Sequence, residues 1–334
     1  MSTTRRVPQS ELHHALLTRL KLRQLSLLDA LARHSTIARV ATQMGLSQPA
    51  ITMALREIEE LFGSPLFERT AHGLSLTPAG ESVLIYARRS LSELESTARV
   101  LESIQAGFKG RLRLGITGMV PQVLLSAVLM HLLASEPRVE VLSVEGATDD
   151  LVRRLISHEL DFVIGRSYDG DARDLVQVPL CAQRPGLVVN AQSAKRLSRG
   201  PLDWSRLVAL DWVLPPDNTP LRRTFNAVFT GAGLQPPVPI LESVSVRSIG
   251  TVPRMNPNAI TILARDVVEE HAIARDCAVL PYDLNWNLPP LCFLTTRDLE
   301  RLPLVGSVRD ALREAAARLN AEAGRSMVCA QRST

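Results

Sequence analysis

Three stretches of the chain differ in how apolar and polar residues alternate. Residues 20–76 hold short segments of helical periodicity separated by turn residues, and residues 77–108 hold one long helical run. From residue 110 onward, short apolar segments typical of strands alternate with helical segments. The pattern therefore predicts a small helical module, a long helix and a larger α/β part.

The helical module begins with two short predicted helices. Leucines recur at near-helical spacing from Leu22 to Leu31 and predict a first helix over about residues 21–32. Ser35 is a suitable N-cap for a second helix, and Gly45 is a natural stop for it.

A third helix is predicted after a tight turn, and this arrangement is typical of a helix-turn-helix. Ser47 is expected to cap it, with Pro49 in the first turn, where a missing N–H group costs nothing. The helix should end near Leu61, just before Gly63.

The third helix has two faces of different chemistry. One face is an apolar stripe, which should pack on the other helices. An amide, a hydroxyl and a guanidinium on the opposite face can read base edges and phosphates in a major groove. A solvated helix face would show the same amphipathic pattern. The opposite face consists of Gln48, Pro49, Thr52, Met53 and Arg56.

Two further features favour DNA binding over a merely solvated face. Residues 66–69 and 72–76 predict a hairpin wing, which would place Arg69 near a phosphate backbone. Residues 1–76 carry nine Lys and Arg against six acids, a net +3 of the +4 of the whole chain. The predicted DNA-binding residues are Arg23, Ser35, Ser47, Gln48, Pro49, Thr52, Met53, Arg56 and Arg69.

The long helical run predicts a dimerisation seam. Thr77 can cap this helix and Pro78 can occupy its first position. Apolar residues then follow steps of three and four, which is heptad spacing. The alternative is a helix that packs on its own domain. The predicted seam consists of Leu84, Ala87, Leu91, Leu94, Ala98 and Leu101.

The α/β part predicts a parallel sheet with helices on both faces. Strands are expected over 111–116, 139–144 and 161–165, and helices over 120–134 and 149–158. No glycine-rich nucleotide loop follows any of these strands.

Composition narrows the class of protein. The chain has 46% hydrophobic and 22% charged residues, which are ordinary globular values, and no apolar run or leader that would indicate a membrane span or export. We therefore expect a cytoplasmic protein. Cys181, Cys277, Cys292 and Cys329 are interpreted as reduced thiols, with a redox-sensing pair as the alternative.

Two other functional classes are disfavoured by the sequence. An enzyme is disfavoured because the sequence has no G-x-S-x-G elbow, no HExxH and no metal cluster. An exported solute-binding protein would need a signal peptide and has no use for residues 20–76. We therefore expect no catalytic residues, no metal and no cofactor.

Residues 36–81 resemble the N-terminal domain of LysR-type transcriptional regulators almost throughout. The GLSQPA turn, the Ile58-Glu59 pair, the G-x-PLFER segment and the T-x-A-G tail match in order and spacing. Two departures are Thr52-Met53, where relatives often carry Ser and a longer polar residue, and the long extension before Leu20.

The resemblance implies the remaining architecture. A linker helix would pair two subunits, with a tetramer as the expected assembly. The effector domain would resemble periplasmic substrate-binding proteins, with two α/β lobes and a hinge strand near residues 278–281. The predicted boundaries are 1–19 for an N-terminal extension, 20–76 for a winged helix-turn-helix, 77–108 for the linker helix and 109–334 for the effector domain (lobe one 111–180 and 277–325, lobe two 181–276).

Ligands of open α/β sheets lie beyond the carboxyl ends of strands, near helix N-termini that favour anions. Hydroxyls and arginines there can bind a carboxylate, although they can equally cap helices or face solvent. We expect an anionic small-molecule co-inducer between the lobes, promoter DNA as a partner and RNA polymerase as a further candidate. The predicted effector residues are Thr117, Gly118, Met119, Thr148, Arg166, Thr219, Ser245 and Arg247.

Overall fold

A computed structural model describes residues 9–70, 73–270, 273, 276–284 and 286–331, with side chains between residues 12 and 321. Residues 1–8 of the predicted extension, His72 of the predicted wing and the side chain of Cys329 lie outside the described part. The chain divides into two compact units, of which the first comprises residues 1–99 with 157–159 and the second the remainder.

The first unit is built from helices and one hairpin. The extension contributes a helix, α1, which packs against α4. The long helix α5 begins in this unit and continues into the second. The elements are α1 (Gln9–Arg19), α2 (Leu22–His34), α3 (Ile37–Met44), α4 (Gln48–Phe62), β1 (Phe67–Thr70), β2 (Gly73–Leu76) and α5 (Pro78–Gln105).

The predicted helix stops are confirmed, but the predicted cap at Ser35 is wrong. Helix α2 continues past residue 32 to His34, so Ser35 adopts a left-handed conformation (φ 55°) that ends α2. Thr36 then occupies the N-cap position of α3, with no side-chain capping bond. The stops Gly45 and Gly63 both adopt positive φ, as the sequence predicts.

The hairpin is the predicted wing, and it is fixed to the helices through backbone groups. The Ser35 carbonyl accepts a hydrogen bond from the N–H of Leu74 at 2.7 Å. Gly73 lies against the same carbonyl with φ 120°, and a Cβ there would be 2.2 Å from that oxygen. Only glycine therefore fits at this contact. Glu59 holds the other strand, since its Oε1 accepts from the N–H groups of Leu66 and Phe67.

Helix α5 covers the core of the winged domain with its first half. Leu84 and Ala87 are buried, and Leu91 packs partly buried on the same core. Leu84 and Ala87 are therefore wrongly assigned to the seam, because they are buried within the chain itself, whereas the assignment of Leu91 stays a prediction. Asp29, which is buried, accepts from the Nε of Arg88 at 2.8 Å and fixes α5 on α2.

The second unit contains two five-stranded sheets, one in each lobe, as the resemblance implies. The lobe-one sheet has the order β4-β3-β5-β12-β6 and the lobe-two sheet the order β11-β7-β10-β8-β9. Among the described helices, none combines the length and apolar character needed to cross a membrane. The strands are β3 (Gly110–Ile116), β4 (Val139–Glu145), β5 (Phe162–Arg166), β6 (Leu175–Cys181), β7 (Pro185–Asn190), β8 (Asp211–Leu214), β9 (Leu241–Glu242), β10 (Ala259–Ala264), β11 (Cys277–Val279) and β12 (Leu291–Thr296).

Helices lie between these strands along the chain. They are α6 (Gln122–Leu133), α7 (Thr148–Ile156), α8 (Ala191–Leu197), α9 (Trp204–Leu207), α10 (Pro220–Gly231), α11 (Val246–Met255), α12 (Arg265–Glu270), a short 3₁₀ helix (Leu299–Arg301) and α13 (Pro303–Gln331).

The predicted parallel arrangement is confirmed for the three predicted strands, but each sheet also contains a strand of the opposite direction. Strand β3 is parallel to β4 and β5, as predicted. Strand β12 is antiparallel to both β5 and β6. In lobe two, β10 is parallel to β8 but antiparallel to β7. The reversed strands, β7 and β12, are the first that the chain forms after it crosses into lobe two and after it returns to lobe one.

The predicted return to lobe one at residue 277 is also wrong. Strand β11 pairs with β7 in the lobe-two sheet. Leu280, Leu284 and Leu288 are buried in the lobe-two core clusters. The chain therefore returns to lobe one with β12 at Leu291.

An ion pair buried in lobe one joins β3 to the start of β5. Arg113 and Asp161 are only 5% and 7% exposed. The Asp161 carboxylate accepts from the Arg113 backbone N–H at 2.6 Å and from its Nη2 at 2.7 Å. Each charge satisfies the other where water cannot reach, so removing one leaves the other uncompensated.

Asp161→Asn is expected to lower the free energy of unfolding by about 3–5 kcal/mol, because the buried guanidinium loses its counter-ion. Urea unfolding of the full chain, followed by circular dichroism, measures this. The control is Glu314→Gln, which removes an exposed carboxylate paired with Arg318 and should cost less than about 1 kcal/mol. Equal stability of the two variants would contradict the assigned role of Asp161.

Candidate nucleic-acid interface and ligand cleft

Helix α4 presents the predicted polar face to solvent. The Ser47 hydroxyl accepts from the N–H of Ala50 at 3.3 Å and caps the helix as predicted. The opposite stripe packs into the domain, with Ile51, Leu55 and Ile58 buried. The exposed face consists of Gln48, Pro49, Thr52, Met53 and Arg56.

The side chains of this face are only weakly engaged within the protein. The Nε of Arg56 pairs with Glu60 at 3.0 Å, but both side chains are mostly exposed, and such pairs contribute little. The Thr52 hydroxyl donates to the Gln48 carbonyl at 3.0 Å and keeps its acceptor capacity. The guanidinium, the amide and the hydroxyl are therefore available to an external partner.

The other predicted DNA-binding residues lie on separate elements. Arg23 is exposed on α2, and Arg69 is exposed on β1 of the wing. Ser35 acts through its backbone, since its carbonyl anchors Leu74. Sequence reasoning missed the wing-holding role of Glu59, although it is part of the Ile58-Glu59 pair of the resemblance.

The eight predicted effector residues all line one of two adjoining cavities between the lobes. The smaller cavity, of about 50 Å³, contains Met119, Thr148, Arg166 and Thr219. The larger, of about 540 Å³, contains Ser245 and Arg247 together with Glu145 and Glu270. Thr117 and Gly118 line both. The residues selected because they follow strands or precede helices therefore come from five separate segments, and the fold brings them together at these cavities.

Arg166 is a buried cation at the smaller cavity. It is only 4% exposed, and it donates to the Pro289 carbonyl at 2.8 Å and contacts the Met119 sulfur at 3.8 Å. In the part of the chain that the structure describes, no carboxylate lies within 4.0 Å of its guanidinium. Burial lowers the pKa of Arg166 to about 10, against the opposing effect of Cys181 and Asp266. The group therefore stays protonated at neutral pH.

Near Met119, two buried polar atoms have no hydrogen-bond partner among the described residues. They are the Thr117 hydroxyl and the Oε1 of Gln183. Gln183 is held by its amide nitrogen, which donates to Asp266 at 2.7 Å and to the Met119 carbonyl at 3.2 Å. The sequence offered no signal for Gln183, because it lies in the irregular segment where the chain changes lobe.

The other predicted hydroxyls are already engaged. Thr219 caps α10 and donates to the Pro216 carbonyl at 2.8 Å. Ser245 caps α11, and the Thr148 hydroxyl accepts from the N–H of Arg166 at 3.1 Å. The alternative of helix capping thus holds for Thr219 and Ser245. Among the predicted hydroxyls, Thr117 has the strongest unmet need for a partner.

The larger cavity carries acids that the sequence analysis did not select. The Glu270 carboxylate accepts from the N–H of Gln122 at 2.9 Å. Glu145 ends β4 and lies so close to Gly118 that a Cβ there would be 2.8 Å from its Oε1. With Arg247 opposite, this cavity offers acceptors and one cation, whereas the smaller one offers a cation and a hydroxyl.

The described cysteines are reduced and buried. Cys181, Cys277 and Cys292 form no disulfide. Burial raises the pKa of each thiol to about 11, so all three are protonated at neutral pH. Because the thiolate is the reactive form, these side chains act as small apolar residues of the core.

Comparison with known proteins covers both units. A family model of the bacterial regulatory helix-turn-helix protein, lysR family, matches residues 22–81. A model of the LysR substrate binding domain matches residues 105–317. The HTH-type transcriptional regulator GbpR of Azospirillum brasilense is 30% identical over 305 residues, which cover 89% of this chain and 87% of that protein.

Solved structures share the fold. That of CbnR, a LysR family transcriptional regulator, has a TM-score of 0.59 at 20% identity and covers 89% of this chain and 99% of its own. Full-length CbnR in complex with its target DNA has a TM-score of 0.58 at 21% identity, covering 89% of this chain and all of that chain (100%).

Proposed function

The chain belongs to the LysR family of transcriptional regulators, not to an enzyme family, and we propose that it binds a specific promoter duplex as a homo-oligomer and responds to a small organic anion between its lobes. The proposal of an anionic ligand rests on Arg166, which is buried and protonated and lines the cleft without a carboxylate partner.

The exposed face of α4 supports direct reading of DNA. Gln48 can make bidentate contacts to adenine, Arg56 can do so to guanine, and exposed Met53 can contact a thymine methyl group. The solved complex of CbnR with its target DNA belongs to a protein of the same fold. By this proposal, Arg23 and Arg69 contact phosphates, which position the helix but carry no sequence information.

An anion in the cleft would satisfy groups that the protein leaves unsatisfied. A carboxylate beside Arg166 would neutralise its charge and accept from the Thr117 hydroxyl. Thr148 and Gly118 would form the wall of that subsite. At about 50 Å³, the smaller cavity holds an acid group but not a whole metabolite. The body of the ligand would occupy the adjoining cavity near Ser245 and Arg247.

Ligand binding can change DNA binding only if the ligand prefers one arrangement of the lobes. The cleft is formed by both lobes, so a ligand that bridges Thr117 and Thr219 biases their separation. Operator and ligand affinities should then be reciprocally coupled. RNA polymerase is a further proposed partner, because a regulator of this class acts at promoters.

The exposed stripe of α5 supports the oligomer. Its apolar members Tyr86, Leu94, Leu101 and Ile104 are each about half exposed. With Ser90 and Thr97 they follow steps of four, four, three, four and three, which keeps them on one helical face. This face is the proposed dimer contact. It retains Leu94 and Leu101 of the predicted seam, and exposed Ala98 lies beside it on the same helix. We propose a tetramer built from two such dimers.

Arg56→Ala and Gln48→Ala should each weaken binding to the operator by about 1–3 kcal/mol, because each removes a base contact. Fluorescence anisotropy with operator and scrambled duplexes measures both affinity and specificity. Arg318→Ala is the control, since Arg318 is equally exposed and likewise pairs with a glutamate one turn away. Unchanged specificity in a folded Arg56→Ala variant would exclude Arg56 from base reading.

Thr117→Val should weaken ligand binding about 10- to 150-fold while leaving the ligand-free protein at least as stable, because it deletes a buried hydroxyl that has no internal partner. Calorimetric titration with a panel of sugar acids and aromatic acids identifies a ligand and measures the loss. The matched control is Thr230→Val, on the exposed side of α10. Equal affinity of wild type and Thr117→Val would remove Thr117 from the site.

Leu94→Lys should reduce the oligomer to smaller species without unfolding the chain, because it places a charge in an exposed apolar stripe. Analytical ultracentrifugation gives the mass and circular dichroism the fold. Ile85→Lys is the control, since Ile85 is as exposed on the same helix but lies off the stripe. Loss of the oligomer in both variants, or in neither, would rule out the stripe as the contact.

A further inference from the structure

A charged bridge joins the two lobes beside the smaller cleft cavity. Arg223 belongs to α10 of lobe two, and its guanidinium reaches two carboxylates of lobe one. Its Nη1 donates to Asp149 at 3.0 Å and its Nη2 donates to Asp169 at 2.8 Å. Asp149 follows Thr148 and Arg223 lies one turn after Thr219, and both of these threonines line the cavity. The bridge therefore crosses the cleft next to the place where a ligand would contact both lobes.

The position of Arg223 is not explained by its own helix. It lies in the first turn of α10, where the positive end of the helix dipole disfavours a cation. Asp149 lies in the first turn of α7, where the same end of the dipole favours an anion. Partial burial disfavours the charged guanidinium, but the hydrogen bonds and charges of Asp149 and Asp169 outweigh it and raise the pKa of Arg223. The two carboxylates of the opposite lobe thus compensate the arginine for an unfavourable position.

The Asp149 carboxylate depends on this arginine. Among the described residues, Arg223 is its only hydrogen-bond partner, and its Oδ1 is buried without one. The Asp149 side chain is 17% exposed, whereas that of Asp169 is 78% exposed and is solvated in any arrangement of the lobes. Loss of the arginine would leave a largely buried carboxylate without a partner, which is costly. Arg223 therefore stabilises the closed arrangement chiefly through Asp149.

Other contacts between the lobes are of a different kind. Glu270 of lobe two accepts from the N–H of Gln122, the first residue of α6, a helix whose N-cap residue supplies no side-chain hydrogen bond. Met119 of lobe one is buried in a core cluster of lobe two. The Arg223 bridge is the contact that depends on a pair of opposite charges, so changing one charge can break it without removing apolar packing.

We propose that the Arg223 bridge is a latch, which holds the lobes together in the ligand-free protein and sets the separation against which a ligand acts. The inference rests on the proposed function only in its consequence, because a ligand that prefers a wider separation must break the latch and binds more weakly for it. Separation of the lobes requires neither ligand nor DNA. Failure of the latch is therefore distinguishable from failure of the proposed function.

The test measures how readily the lobes separate, with a cysteine reporter at Val246 in the full chain. Val246 is buried at the larger cavity and is covered by Gly118 of the opposite lobe, where a Cβ would lie 3.2 Å from its Cγ2. Val246→Cys should therefore react with N-ethylmaleimide when the lobes separate, and mass spectrometry gives the rate. Adding Arg223→Gln should accelerate labelling about 3- to 30-fold. Arg223→Lys, which keeps the charge, should accelerate it less.

Arg254→Gln is the matched control, because Arg254 is about as exposed as Arg223, belongs to lobe two and pairs with Asp276 of the same lobe. It should leave the labelling of Val246→Cys unchanged. Val189→Cys, in the buried core of lobe two, reports loosening of that lobe and should stay slow to label in Arg223→Gln. The proposal is overturned if Arg223→Gln labels no faster than its parent, or if Arg254→Gln labels as fast. It is equally overturned if Val189→Cys is accelerated as much as Val246→Cys.

Discussion

The buried charge of Arg166 is the constraint on which the ligand-binding half depends. A guanidinium at this depth is stabilised by the Pro289 carbonyl and the Met119 sulfur, which accept hydrogen bonds from it without cancelling its charge. Asp266 lies near enough to favour the charged form but is bonded to Gln183 instead. The lobes therefore meet around a fixed positive potential, and any ligand of the smaller cavity must accommodate it.

The parts of the fold that follow from local periodicity could be predicted from the sequence. The exposed polar face of α4 was predictable because apolar and polar residues alternate along this helix at helical spacing and Ser47 and Gly63 flank its ends. Ser35 was not, because the extra turn at the end of α2 depends on the left-handed residue that anchors the wing at Leu74. In the sequence, a serine that caps the following helix looks the same as a serine that ends the preceding one.

The errors in the second unit share one physical cause. Strand direction and lobe membership are set by where the chain crosses, and the crossing segments have no periodicity that marks them. The pairing of β11 with β7 and of β12 with β5 is decided by contacts between distant residues. The same holds for Gln183, which lies between β6 and β7. Glu145 is the last residue of β4 and Glu270 the last of α12, so neither is among the residues that follow a strand. Residues that follow a strand could be selected by rule, whereas residues in crossings could not.

The crossings also limit how the two lobes can respond to ligands. The chain passes between the lobes at residues 182–184, between β6 and β7, and at residues 289–290, between the lobe-two core residue Leu288 and β12. A movement of one lobe relative to the other therefore changes the backbone of these two segments. The cleft cavity is formed by the surfaces that such a movement separates. A ligand that contacts both lobes in the cleft therefore favours one separation of the lobes over another, and this preference is what can couple its binding to binding elsewhere.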